Sequence, residues 1–178
     1  MYLWLAINLD EQLSDVRVKA EKIEQSIAPQ NSAFTLPMHV SLKISFFLPD
    51  EDYDAAHVAV SEYFKTIAPF DIETDGIERE NSIVWIRMKK NESLNRIHCD
   101  LDNLMAEKFG VIQHPFDVDF KFHTTLFIDA DLDKVNASYQ ALNSLSIPSN
   151  LRAKTFIIGS SETGKIGTYK VRENIDIH

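Results

Sequence analysis

Apolar residues recur at helical spacing in four stretches of this chain, and runs of β-branched and aromatic residues lie between them. Leu13, Val16, Ala20, Ile23 and Ile27 form the first stripe, which opens after a candidate cap at Asp10 and closes before Pro29. Tyr53, Ala56, Val60, Tyr63 and Ile67 form the second, ahead of Pro69. The third carries Leu94, Ile97, Leu101 and Leu104 from a cap near Asn91 to Gly110, and the fourth Leu132, Val135, Tyr139 and Leu142 before Pro148. The runs at 2–9, 38–48, 70–76, 82–89, 120–128, 153–159 and 167–172 read as strands. The resulting order is β-α-β-α-β-β-α-β-α-β-β.

Part of that order occurs twice. The strand around His39 is followed by a helix and two strands, and so is the strand around His123, 84 residues further on. Asp75-Gly76 to Asn81, and Gly164 to Gly167, offer turn residues for paired hairpins. Such a duplication predicts an α+β fold with two similar lobes, each an antiparallel sheet with helices on its outer face, meeting across a central cleft. No Gly/Ser-rich or Pro-rich linker marks a seam, so residues 1–178 are expected to form one domain.

Composition narrows the partners. Acidic residues outnumber basic ones and give a net charge of −9, which disfavours a broad basic surface tracking a phosphate backbone. Duplex DNA is therefore not an expected partner, whereas a small phosphorylated ligand or one nucleic-acid end in a locally basic cleft is compatible. Cys99 is the only cysteine, so no internal disulfide forms. The apolar start Met1 to Ile7 lacks a cationic leader and is too short for a signal peptide or a span. A cytoplasmic monomer with no membrane association is the expectation.

Chemistry concentrates in His39-Val40-Ser41-Leu42 and His123-Thr124-Thr125-Leu126, which fall at equivalent points of the repeat. Side chains at i and i+2 of a strand share a face, so His39, Ser41 and Lys43 point together, as do Lys121, His123, Thr125 and Phe127. Two such faces across a cleft would place two imidazoles and two hydroxyls around one tetrahedral centre. One neutral His can take a proton from an attacking oxygen while a protonated His gives one to the leaving oxygen. Ser41 and Thr125 can hydrogen-bond the non-bridging oxygens. Lys43 and Lys121 are candidate phosphate contacts and Phe127 a candidate base-stacking residue, each with a plain alternative as a solvated or packing strand residue.

These two motifs resemble those of the 2H phosphoesterase superfamily, which includes the RNA 2′,3′-cyclic phosphodiesterases once called 2′-5′ RNA ligases. HVSL at 39–42 and HTTL at 123–126 both fit its His-x-Ser/Thr-x pattern, and the element order agrees along nearly the whole chain. The resemblance implies a bilobal duplication and metal-independent hydrolysis of a 2′,3′-cyclic phosphate at an RNA end or on a nucleotide. His39 and His123 would exchange protons, Ser41 and Thr125 would orient the phosphate, and no cofactor would be required. Alternatives within the superfamily are cleavage of 2′-5′ oligonucleotides or of cyclic di- and oligonucleotide signals. The alternative outside enzymology is a non-catalytic module that binds an RNA end or nucleotide in the same cleft.

Other constellations are weaker. His114, Asp117, Asp119 and His123 lie close in sequence, yet Lys121 among them and Pro115 after His114 argue against a metal site. His98 and Cys99 are neighbours on one helix and point about 100° apart, so they form no nucleophilic pair, and Cys99 reads as a small packing residue. Gly159-Ser160-Ser161 lacks the second glycine of a nucleophile elbow.

Overall fold

A computed structural model describes residues 1–29 and 33–178. Tyr2–Asn8 (β1), His39–Phe47 (β2), Thr155–Ser161 (β7) and Lys170–Asp176 (β8) form one antiparallel sheet in the order β2-β1-β7-β8. Phe70–Glu80 (β3), Ile83–Met88 (β4), His123–Ile128 (β5) and Asn150–Ala153 (β6) form the other, in the order β5-β4-β3-β6. Among the described residues four α-helices complete the fold: Ser14–Ile27 (α1), Asp50–Lys65 (α2), Glu92–Phe109 (α3) and Leu132–Leu142 (α4). Among the described residues no helix is long and apolar enough to cross a membrane.

The sheets do not partition the sequence into halves. After α2 the chain enters the second sheet as β3, and after β6 it returns to the first as β7. The helices cross over too: α2 packs on β7 and β8 and α3 on β2, while α1 and α4 pack together on the second sheet. One core therefore runs through both sheets, joining Leu5 and Val40 of the first to Val84 and Leu126 of the second. The strands that carry the two motifs, β2 and β5, occupy corresponding edge positions and meet where the sheets approach.

The helix stripes correspond to α1–α4, with Asn91 capping α3 through Ser93 N and Leu94 N and Gly110 closing it at φ 64°. Asp10 is not a cap. Its carboxylate accepts instead from Arg17 at 2.6 Å and from the Met38 amide at 2.8 Å, and Arg17 also donates to the Phe34 carbonyl at 2.8 Å. This clamp fixes the approach to β2.

Three other expectations are corrected. Gly76, at φ 83°, lies inside β3 at a register shift, and the β3–β4 turn falls at Asn81, φ 50°. Asn150–Ala153 forms a separate short strand paired with β3, not the start of the run assigned to 153–159. Cys99 is exposed rather than a packing residue.

Candidate active site

The motif strands are bulged at matching places. Ala6 pairs with Ser41 but Leu5 with Lys43, which leaves Leu42 as the extra residue; Trp85 pairs with Thr125 but Val84 with Phe127, which leaves Leu126 extra. Leu42 and Leu126 are equivalent in the repeat. A bulge shifts the alternation by one, so the residue that follows it turns to the opposite face. His39, Ser41, His123 and Thr125 stay half-buried on the cleft face, while Phe127 turns into the core and Lys43, at the edge of the cleft lining, is buried with its ammonium directed to carboxylates.

Two sequence-based expectations change as a result. Phe127 is fully buried in the core, so it has no face to offer a base. Lys43 is 2% exposed, and its ammonium donates to Asp102 and, at 3.0 Å, to Asp117. Asp117 also accepts from the backbone amides of Ile44 and His114. An ammonium held between two buried carboxylates is not available to a substrate phosphate.

The same network bears on metal binding. His98, Asp102 and Asp117 are the cluster among the described residues whose ligand atoms lie close enough to share an ion. Lys43 already supplies the cation there, and His98 has the carbonyls of Leu42 and Asp117 at 2.7 and 2.9 Å from its two ring nitrogens. Both ring nitrogens of His98 are thus already engaged by protein carbonyls. His114, Asp119 and His123 do not belong to this cluster, so the structure does not assemble the set weighed from sequence.

His39, Ser41, Lys121, His123 and Thr125 line one cleft of about 690 Å³. The two imidazoles are anchored alike: Nδ1 of His39 lies 2.7 Å from the Pro37 carbonyl, and Nδ1 of His123 lies 2.6 Å from the Lys121 carbonyl. In each case the acceptor is the carbonyl two residues earlier. A carbonyl fixes Nδ1 as the protonated nitrogen, leaving Nε2 to exchange protons. Trp4 donates from Nε1 to Ser41 Oγ at 3.2 Å, which occupies a hydroxyl lone pair and leaves the Ser41 proton free to donate. Gly159 makes room for that indole, since a Cβ there would meet the Trp4 ring at 2.4 Å.

Burial pushes His39 down to about 4; the Pro37 carbonyl opposes this, and the charge of His123 adds to it. Burial also lowers His123, against the pull of the Lys121 carbonyl and the Glu80 carboxylate. Lys121 lines the cleft with an exposed side chain, its ammonium 2.7 Å from Glu80. Sequence reasoning missed Trp4 and Trp85, which line the cleft from strands outside the motifs, and Tyr169, which lines it from the residue before β8. Only strand pairing brings them in.

Residues 9–164 match the 2'-5' RNA ligase superfamily. The chain belongs to that superfamily. A likeness of fold to solved structures extends over nearly the whole chain. TT0787 of Thermus thermophilus superposes with a TM-score of 0.67 at 18% identity, covering 99% of this chain and 97% of its own. E. coli LigT complexed with 3'-AMP gives 0.62 at 18% identity, covering 98% and 97%. Kluyveromyces marxianus Usb1 gives 0.53 at 12% identity, covering 98% and 96%. At these identities the likeness is one of fold, and no curated protein matches the chain. The 2H phosphoesterase resemblance of the two motifs thus agrees with both the superfamily match and the fold.

Proposed function

We propose that this superfamily member is a metal-independent phosphodiesterase that opens a 2′,3′-cyclic phosphate on a nucleotide or RNA end. The observation that carries the reading is the matched anchoring of His39 and His123, each held at Nδ1 by a carbonyl two residues back and each turned into one cleft. One Nε2 accepts the proton of the attacking water while the other protonates the departing ribose oxygen. Ser41 and Thr125 donate to the non-bridging oxygens, where charge accumulates. Lys121 in the cleft lining is the remaining candidate for a phosphate contact.

A nucleotide-sized ligand is the first class to offer, since LigT has been crystallised with 3'-AMP, NADP+ and ATP. The chain's acidic balance favours a short ligand over a long one. The proposal includes no cofactor, a monomer and a cytoplasmic setting. Its test is a panel of 2′,3′-cyclic mononucleotides, RNA ending in a cyclic phosphate, 2′-5′ oligoadenylate and cyclic dinucleotides, assayed in EDTA. Hydrolysis of the first two classes is expected. Activity confined to the others would redirect the substrate within the superfamily, and binding without turnover of any would leave a nucleotide-binding module.

A further inference from the structure

The two imidazoles have unlike surroundings, although the repeat places them alike. Trp85 stands opposite Thr125 on β4, whereas the corresponding place opposite Ser41 on β1 belongs to Ala6. The Trp85 ring lies 4.3 Å from the His123 ring at an angle of 31°, a tilted approach of imidazole to indole. His39 meets Trp4 edge to face, at 4.5 Å and 78°.

The charged groups around His123 are Glu80, bound by Lys121, Arg87 across the strand pair, and His39. Arg87 is itself held by Asp75 and Glu78.

An indole face attracts a cation more strongly than any other aromatic side chain does. Trp85 also carries a cost, since its Nε1 is buried without a hydrogen-bond partner among the described residues. A phenylalanine would fill the place without that cost, so what the indole adds is its face. We propose that Trp85 is a positioning residue that makes His123 the proton donor and leaves His39 as the proton acceptor. This rests on the two-histidine reading above.

The step balances. Water loses a proton to His39 Nε2 as its oxygen bonds to phosphorus. The bond from phosphorus to the ribose oxygen breaks with its electron pair on oxygen, and that oxygen takes the proton from His123 Nε2. The firmer suppression of charge on His39, which lacks a neighbouring carboxylate, points the same way.

The test compares a 2′,3′-cyclic nucleotide with a nucleotide p-nitrophenyl diester, whose phenolate leaves without a proton. On the cyclic substrate His39→Ala and His123→Ala should each lose about a hundredfold or more. If neither does, the two-histidine reading itself fails. On the activated diester His123→Ala should recover to within about tenfold of the wild type while His39→Ala stays impaired, because only the acid has become dispensable. The opposite pattern, or equal behaviour of the two, overturns the assignment and leaves the two-histidine reading intact.

Trp85→Leu should move the alkaline limb of kcat/KM down by about 0.4 to 1.5 in pH, and Trp85→Phe by less. A drop in kcat with the limb unmoved would reduce Trp85 to packing. Should Trp85→Leu fail to fold, the His123 titration of Trp85→Phe, followed by NMR, replaces it; a titration identical to the wild type overturns the proposal.

Discussion

Thr124 Oγ1 donates a 2.9 Å hydrogen bond to the carbonyl oxygen of His39, joining the middle of one motif to the start of the other. The bond crosses between the edge strands of the two sheets, where no backbone ladder links them. Thr124 is itself 1% exposed, so the contact is shielded from water. It ties the two motif strands together between the two imidazoles.

Removing that bond should therefore affect chemistry more than binding. Thr124→Val keeps the shape and loses the donor, leaving the His39 carbonyl with one acceptor site unfilled, at a cost of about 1–3 kcal/mol. A tenfold to hundredfold fall in kcat with little change in KM is expected, because misplacement of about 1 Å has effects of that order. Thr124→Ser, which restores the hydroxyl, should recover most of it. Steady-state kinetics of the three proteins decide; an unchanged kcat in Thr124→Val would make the bond structural only.

The pH profile of kcat/KM should peak on the acid side of neutrality. Catalysis by the free enzyme needs one imidazole neutral and one charged, and both are held below their ordinary value by burial. Activity should rise as His39 loses its proton near 4 and fall as His123 loses its own below about 6.5. A bell centred above pH 7 would show that the cleft does not suppress charge in this way.

Lys43→Ala should act on stability. It strands the carboxylates of Asp102 and Asp117, which are 10% and 0% exposed, and such a loss costs about 3–5 kcal/mol. Urea denaturation should show an unfolding free energy lower by that size, read as an earlier midpoint, while KM and its salt dependence stay near the wild type in protein that folds. A stable variant with a raised KM would instead return Lys43 to the substrate.

Glu24 makes stability fall as pH rises from the acid range to about 8. Its side chain on α1 is 3% exposed, Oε1 has no partner among the described residues, and burial raises its pKa to about 8. Between the unfolded value of 4.5 and about 8 the folded state holds a proton that the unfolded state has lost. Stability is full below 4.5 and declines through that window. Glu24→Gln should flatten the slope of the unfolding free energy against pH; an identical slope in the variant would remove Glu24 as its source.

Local patterning determined a good deal of this protein. The four helices follow from 3.6-residue stripes and from cues such as Asn91 and Gly110, and the strand runs follow from β-branched and aromatic content. The repeat and its two His-x-Ser/Thr motifs located His39, Ser41, His123 and Thr125, because alternation along a strand is a property of the strand alone.

Tertiary structure decided what depends on partners far along the chain. The bulges at Leu42 and Leu126 arise from pairing with β1 and β4, and they break the strict alternation that would expose Lys43 and Phe127 beside the two motifs, so that both are buried. Lys43 is then claimed by Asp102 and Asp117, 59 and 74 residues away. The exchange of β3 and β7 between the sheets, and the arrival of Trp4 and Trp85 beside the two imidazoles, are likewise set by register across strands. A period of two says which residues share a face only while the ladder is unbroken, and whether it is unbroken is a property of the pair of strands.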